Sequence, residues 1–291
     1  MQAATATAQI PGVACQPGYI WTADNVGLFY RDWGAGKPLL FLAGWTLSSD
    51  MWAYQMEPLS RQAFRCIAYD RRGHGRSSDP GRGYDFDTLA DDLAAVVDAL
   101  DLKDATAIAH SFASGEIVRY LTKYGRGRIT RLVLLSPAAV PFLLKTPDNP
   151  GGIDGEAFEQ LRQAFRKDFP GWAEANAEPY FVPGTSRAIV DWTIRLMTQT
   201  SLQAAVELSK VQTSTDFRGE LSRLDLPTLV IHGDRDASAP LDLTGRPTAE
   251  LVQGARLVVY EGGPHGLYFT HKERLNRDLA QFAAGVRLPA T

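Results

Sequence analysis

The sequence contains few cysteines, no long hydrophobic run and no excess of positive charge. Its two cysteines, Cys15 and Cys66, fit no zinc or redox spacing, and whether they form a disulfide is left open. No apolar run approaches the roughly 18 residues that span a bilayer, so no membrane span is expected. The formal net charge is −3 at pH 7, and no basic stripe is present. Nucleic acid is therefore not an expected partner.

The first 18 residues form a segment of unusual composition, rich in alanine and threonine, which we interpret as an N-terminal arm. The first charged side chain is that of Asp24. The basic start and apolar centre of a signal peptide are missing. The sequence favours a soluble cytoplasmic protein and leaves open a mature exported protein whose signal was removed. It also leaves open whether the protein forms homo-oligomers.

Short apolar runs alternate with helical patterns along most of the chain. Strands are predicted at 26–33, 38–42, 64–69, 105–109, 131–135, 227–231 and 255–260. Helices are predicted at 88–102, from 112 onward, at 241–252 and at 271–282. Asp85 and Asp87 precede the first of these helices and can cap its start. Continuous apolar strands separated by helices predict an α/β fold with a mostly parallel sheet covered on both faces.

The segment 137–224 interrupts this alternation because it contains no clear strand. It begins with several prolines, continues as helical patterns and is dense in aromatic residues. We predict that it forms a helical cap, or lid, over a core made of residues 19–136 and 225–291. Most of its aromatic side chains are expected to form the cap's own interior, and a few to line a ligand pocket below it.

A serine lies where an apolar strand changes into a helical pattern. The run Ala109-His110-Ser111-Phe112-Ala113 has the spacing of a nucleophile elbow, usually Gly-x-Ser-x-Gly, with alanine at both outer positions. Small residues are needed there because strand and helix nearly touch. Ser111 is thus the candidate nucleophile, although the motif with two alanines is weak by itself.

A serine nucleophile needs a base, and the base needs a carboxylate that orients it. His265 follows the last predicted strand in a loop rich in glycine, at the sheet edge where ligands bind. Either Asp234 or Asp236, which follow the strand 227–231, can supply the carboxylate. The order serine, aspartate, histidine is that of α/β-hydrolases. The remaining histidines are expected to be structural (His74, His232 and His271) or to point away from the serine (His110).

Two backbone N–H groups are candidates for stabilising the oxyanion of a tetrahedral intermediate. The N–H of Phe112 lies at the predicted helix start after the nucleophile. The N–H of Trp45 lies in the loop 43–46 after an early strand, where Gly44 permits close approach of the backbone. We expect the Trp45 side chain to pack in the wall as well.

Several short motifs together carry a resemblance to a known family. They are Arg31-Asp32-Trp33-Gly34, Gly44-Trp45, Asp50-Met51-Trp52, the runs 70–77 and 215–218, His232-Gly233-Asp234 and Pro264-His265-Gly266. From about residue 19 to 285 the chain resembles the α/β-hydrolase superfamily, and within it the aryl esterases grouped with cofactor-free haloperoxidases. The resemblance implies that Asp236 is the triad acid, that Asp234 is structural and that the loop 70–77 is scaffold.

The chain departs from the family pattern at four positions. Ala109 and Ala113 replace the usual glycines of the elbow, and Ala43 replaces a common histidine before Gly44. Thr46 stands where relatives noted for peracid formation often have proline, which argues against strong perhydrolase or haloperoxidase activity.

The function predicted from the sequence is that of a serine carboxylesterase. Ser111, Asp236 and His265 would form the catalytic triad, with Trp45 and Phe112 as the oxyanion hole. The substrate would be a small or aryl carboxylic ester, cleaved through an acyl-enzyme without metal or organic cofactor. Perhydrolysis and amide, lactam or carbon–carbon cleavage remain alternatives, because the same triad serves them all. A non-catalytic receptor of this fold is the third alternative.

Overall fold

The computed structural model describes residues 18–286, and an eight-stranded sheet runs through this part of the chain. The strands are β1 (Tyr19–Trp21), β2 (Gly27–Gly34), β3 (Lys37–Leu42), β4 (Phe64–Tyr69), β5 (Ala105–His110), β6 (Ile129–Leu135), β7 (Thr228–Gly233) and β8 (Arg256–Tyr260). Their order across the sheet is β1-β2-β4-β3-β5-β6-β7-β8. Only the pairs β1–β2 and β2–β4 are antiparallel, so the predicted mostly parallel sheet is confirmed.

Helices cover the sheet on both sides. They are α1 (Ala53–Leu59), α2 (Phe86–Ala99), α3 (Ala113–Tyr124), α4 (Gly155–Tyr180), α5 (Arg187–Thr198), α6 (Leu202–Ser214), α7 (Arg218–Leu221), α8 (Gly245–Leu251), α9 (Leu267–Thr270) and α10 (Lys272–Ala283), with a 3₁₀ turn at Ser49–Trp52 before α1. Asp85 caps α2 as expected, because its carboxylate accepts a hydrogen bond of 2.9 Å from the Thr88 N–H.

Alternate residues of β3 enter two separate apolar layers, as the two-residue period of a strand requires. Leu40 and Leu42 pack in the layer that contains α2 and α3. Leu39 and Phe41 pack in the layer that contains α1 and α10. Burial on both faces explains why the strand runs in the sequence are continuously apolar rather than alternating.

The segment 137–224 lies between β6 and β7 and contains α4 to α7. Helix α4 is kinked at Asp168, whose carboxylate caps its second half by accepting a hydrogen bond of 2.9 Å from the Gly171 N–H. Phe165 and Phe169 of α4 pack against Val206 of α6. Phe165 and Phe169 thus join α4 to α6.

Two expectations concern residues that the structure does not describe. Nearly all of the predicted N-terminal arm, including Cys15, lies outside the described range. Cys66 lies within it and is a buried free thiol, and burial raises its pKa to about 12.

Candidate active site

The carboxyl ends of three strands bring Ser111, Asp236 and His265 together. Ser111 directly follows β5, Asp236 follows β7 and His265 follows β8. Neighbouring parallel strands end at the same edge of the sheet, so residues far apart in sequence become neighbours there. All three side chains are buried.

A chain of two hydrogen bonds joins these residues. His265 Nε2 lies 2.9 Å from Ser111 Oγ, and His265 Nδ1 lies 2.7 Å from Asp236 Oδ2. With its proton on Nδ1, the imidazole donates to the carboxylate and leaves Nε2 free to accept the serine proton. The geometry is that of a hydroxyl, a base and an orienting acid.

The two candidate carboxylates have different partners. Asp236 contacts His265, and its other oxygen accepts hydrogen bonds from the N–H groups of Ser238 (2.9 Å) and Ala239 (2.7 Å). Asp234 instead accepts a hydrogen bond of 2.7 Å from the Gly262 N–H. Asp234 therefore ties the loop after β7 to the loop after β8, whereas Asp236 faces the imidazole.

Asp236 is held as an anion at neutral pH. Burial alone raises the pKa of this carboxyl, but the charge and hydrogen bonds of His265 and His232 outweigh burial and hold the pKa well below its usual range. His232 Nε2 lies 3.3 Å from Asp236 Oδ2 and 2.7 Å from the Ala239 carbonyl oxygen. The sequence predicted only a structural role for His232 and did not indicate its contact with Asp236. The spacing of four residues between them is the one signal that could have suggested this contact.

Ser111 has a left-handed backbone, with φ of 55°. This conformation costs an L-residue roughly 1–2 kcal/mol, so it persists only where its surroundings fix it. Here the Ser111 N–H donates to the Leu135 carbonyl of β6 at 2.9 Å, and the Ser111 carbonyl accepts from the Ser114 N–H at 3.1 Å. The corner aims the hydroxyl at His265.

The alanines of the elbow are fully buried, and the position that requires glycine lies further along α3. A Cβ atom on Gly115 would lie 2.7 Å from the Phe86 ring and 2.8 Å from the Phe217 ring. The helix that follows Ser111 is thus packed closely against Phe86 and Phe217 at Gly115, where a side chain would not fit.

The N–H groups of Trp45 and Phe112, the two expected oxyanion donors, have no hydrogen-bond acceptor among residues 18–286. The loop that carries Trp45 lies directly against the elbow, since a Cβ atom on Gly44 would lie 2.6 Å from His110 Nδ1. Gly44 is thus needed for close approach, as the sequence predicts.

The Trp45 side chain connects the loop 43–46 to the segment 137–224. Its indole N–H donates to the Ala205 carbonyl at 3.0 Å, and its ring packs 4.9 Å from the Phe165 ring. The next residue, Thr46, has a φ of 58°, and its carbonyl accepts a hydrogen bond of 3.0 Å from the Thr200 hydroxyl. Proline is locked near −65° and could not adopt this conformation.

His110 lies beside the site. Its ring centroid is 4.7 Å from that of His265, and its Nε2 is 3.1 Å from the His265 carbonyl oxygen. From the sequence we expect the His110 side chain to point away from Ser111. In the structure it packs against Trp52 and Tyr268 and also contacts the loop after β8. Burial and the nearby His265 lower the pKa of His110 to about 3, so it is neutral at pH 7.

A cavity of about 350 Å³ opens onto Ser111 and His265. Four aromatic residues of the segment 137–224 line it: Phe158, Phe165, Trp172 and Tyr180. Within residues 18–286, no aspartate, glutamate, lysine or arginine is among its lining residues. The cavity is therefore suited to a neutral, largely apolar ligand.

Residues 18–286 contain neither a cluster of metal-ligating side chains nor a helix that could span a membrane. No group of three or more histidine, cysteine, aspartate or glutamate side chains in that range is arranged to hold a metal ion. Within the same residues, no helix combines the length and hydrophobicity needed to cross a membrane.

The chain is similar in sequence to members of one protein family. A family model described as alpha/beta hydrolase fold matches residues 37–272. The chain belongs to the α/β-hydrolase family. It is 40% identical to the non-heme chloroperoxidase CPO-A1 of Kitasatospora aureofaciens, over 90% of this chain and 97% of the relative. It is 36% identical to the bifunctional esterase/perhydrolase DCH of Acinetobacter calcoaceticus, over 91% and 99%.

The solved structures that are similar to this chain include esterases and a bromoperoxidase. The structure of an esterase (EaEST) from Exiguobacterium antarcticum matches with a TM-score of 0.88 and 26% identity, over 91% of this chain and 98% of that chain. The resemblance stated from the sequence motifs, to esterases grouped with cofactor-free haloperoxidases, is confirmed by these relatives.

Proposed function

We propose that the protein is a serine esterase that cleaves neutral carboxylic esters through an acyl-enzyme. The observation that carries the proposal is the hydrogen-bonded chain Ser111–His265–Asp236 at the base of an uncharged cavity. The esterase and the esterase/perhydrolase among the relatives support the same reaction class.

Each residue has a distinct role in the proposed reaction. His265 Nε2 takes the proton of Ser111 Oγ as this oxygen attacks the ester carbonyl, and then returns the proton to the departing alcohol. Water, activated by the same imidazole, attacks the acyl-enzyme and releases the acid. Asp236 keeps its charge throughout and stabilises the imidazolium that forms.

The N–H groups of Trp45 and Phe112 are proposed to stabilise the oxyanion. Both are free of other acceptors among residues 18–286, so they need not break a hydrogen bond as charge develops. Loss of one such donor typically costs about 10²–10³ in rate.

The cavity and the helices above it define the proposed substrate class. A wall of aromatic and aliphatic side chains without ionised carboxylates or cations favours small or aryl esters over substrates that carry a charge near the ester. We propose that residues 137–224 act as the lid that sets acyl and alcohol preference, because α4 contributes Phe158, Phe165 and Trp172 to the cavity wall.

The test is hydrolysis of p-nitrophenyl esters by the wild-type protein and by Ser111→Ala. We expect hydrolysis of p-nitrophenyl acetate and of phenyl acetate far above background, and loss of at least about 10³-fold in Ser111→Ala. Ser222→Ala, which changes an exposed serine directly after α7, is the matched control and should retain full activity. Undiminished turnover in Ser111→Ala would overturn the proposal, and a wild type without turnover on any ester would favour a receptor.

Perhydrolysis is the second candidate, supported by the chloroperoxidase and the esterase/perhydrolase among the relatives. In this reaction hydrogen peroxide replaces water as acceptor of the acyl group. The conformation of Thr46, which proline could not adopt, distinguishes this loop from that of relatives with proline there. Bromination of monochlorodimedone in acetate and peroxide, compared with ester hydrolysis by the same preparation, discriminates the two: we expect hydrolysis to be faster.

A further inference from the structure

Arg71 is a buried cation that touches the loop carrying Trp45. Only 3% of its side chain is exposed. Its Nη2 donates to the Ala43 carbonyl at 2.8 Å, and its Nη1 donates to the Gly44 carbonyl at 3.4 Å. The family resemblance implied only a scaffold role for the loop 70–77. The structure shows that Arg71 of this loop also contacts the backbone of the loop 43–46.

The counterion of Arg71 lies on α3, the helix that follows Ser111. Glu116 is fully buried in the first turn of α3, and its Oε2 accepts from Arg71 Nε at 2.8 Å and from Nη2 at 2.7 Å. The Tyr69 hydroxyl donates to its second oxygen. The Arg71 guanidinium carbon also lies 4.9 Å from the centroid of the Phe112 ring. A single guanidinium thus joins the loop of one proposed oxyanion donor to the helix start that carries the other.

Peptide geometry links these contacts to the Trp45 N–H. The Gly44 carbonyl and the Trp45 N–H belong to one planar trans peptide and therefore point in opposite directions. The Gly44 oxygen is held by Arg71 and by the Leu47 N–H, which donates at 3.2 Å. Fixing that oxygen fixes the direction of the Trp45 N–H on the opposite side of the peptide plane.

The loop 43–46 depends on an outside residue to fix its backbone, because Ala43 and Gly44 have no polar side chains that could do so. Gly44 has no side chain, and Ala43 occupies the position where the family commonly has histidine. A planar guanidinium with several donors can hold two successive carbonyls and a carboxylate at once, which an ammonium group cannot do with the same geometry.

We propose that Arg71, held by Glu116, is the positioning residue of the oxyanion hole. It fixes the Gly44–Trp45 peptide against the start of α3, so that both N–H groups meet the same oxyanion. The inference rests on the proposed esterase function. Hydrogen bonds to the oxyanion strengthen in the transition state, so replacement of Arg71 should lower kcat and leave KM nearly unchanged.

A matched control lies at the next position. Arg72 is also buried, at 1% exposure, and pairs with Asp92 at 2.6 Å and with Asp24 at 3.1 Å. None of its side-chain hydrogen bonds within residues 18–286 reaches the loop 43–46 or α3. A purely structural role for buried arginine would make Arg71→Lys and Arg72→Lys alike.

The experiment compares Arg71→Lys, Glu116→Gln and Arg72→Lys with the wild type. Steady-state kinetics with p-nitrophenyl acetate give kcat and KM. The inhibition constant of phenylboronic acid, whose serine adduct places an oxygen in the oxyanion hole, gives transition-state affinity. Urea unfolding gives stability. We expect Arg71→Lys to lower kcat and phenylboronic acid affinity in parallel, by about 10- to 100-fold, which is less than the roughly 10²–10³ for complete loss of one oxyanion donor because the Trp45 N–H is displaced and not removed.

The expected pattern has two further parts. Glu116→Gln, which preserves shape and removes the charge that holds Arg71, should give the same pattern with a smaller loss, and it keeps the test informative if Arg71→Lys does not fold. Arg72→Lys should lose stability and retain kcat and boronate affinity.

Two results would overturn the inference. One is that Arg71→Lys and Glu116→Gln fold and keep wild-type kcat and boronate affinity. The other is that their loss appears in KM alone. Activity that survives in Ser111→Ala would instead overturn the proposed function itself, so the two failures are distinguishable.

Discussion

At the scale of single residues, the site depends on which of two aspartates meets His265. Asp234 and Asp236 follow the same strand, and the residues alone could not separate them because aspartate is common in turns. The distinction is made by the turn itself, in which the N–H groups of Ser238 and Ala239 hold one carboxylate oxygen of Asp236. The family resemblance indicated the residue that the geometry places against the imidazole.

Asp236→Asn should lower kcat for p-nitrophenyl acetate by about 10⁴-fold, the size of loss seen when an orienting acid becomes an amide. The cause is that an amide donor opposite Nδ1 stabilises the wrong imidazole tautomer. Asp234→Asn is the matched control two positions away, and it should change kcat less than about tenfold. Equal losses in both variants, measured by steady-state kinetics on folded protein, would contradict the assignment.

At the scale of elements, the alternation of strands and helices was predictable because the central parallel strands are buried on both faces and read as largely apolar runs. The ends of the elements were less predictable. The helix predicted from residue 241 begins at Gly245, because the N–H groups of Leu243 and Thr244 donate to the Pro240 carbonyl instead. The role of Arg71 could not be read from sequence, since its partners Ala43 and Glu116 lie far away along the chain.

Gly115→Ala should lower the free energy of unfolding by about 1–3 kcal/mol, the usual cost of overpacking. The added methyl group would meet the rings of Phe86 and Phe217 at distances that no relaxed contact shows. Urea denaturation measures the change. Gly219→Ala on α7 is the control, since its Cβ would find only ordinary contact, at 3.6 Å; it should be neutral or slightly stabilising. An equally stable Gly115→Ala would show that α3 is not closely packed there.

At the scale of the whole molecule, two histidines buried in neutral form make stability depend on pH. Burial, with the charge of Arg71 nearby, lowers the pKa of His74 to about 3, and burial beside His265 does the same to the pKa of His110. An unfolded histidine has a pKa near 6.5. Between about pH 6.5 and 3 the unfolded chain therefore binds protons that the folded protein does not, so stability falls as pH falls.

From pH 6 to pH 5, these two histidines should together lower the free energy of unfolding by about 2–3 kcal/mol, since each contributes up to about 1.4 kcal/mol per pH unit. His74→Gln removes one of them and should reduce the pH slope by about half of that amount. Urea unfolding at both pH values measures the slopes. An unchanged slope in His74→Gln would mean that His74 takes up a proton in the folded state.

The central claim is that Ser111 is an activated nucleophile, and covalent labelling tests it most directly. A fluorophosphonate probe reacts rapidly with a serine whose hydroxyl is activated by a neighbouring general base, which takes the proton as the oxygen attacks. Peptide mapping of the labelled protein by mass spectrometry should find one adduct, on Ser111, and His265→Gln should slow its formation by several orders of magnitude. A protein that is not labelled on Ser111, or whose label lies on another serine, would contradict the account.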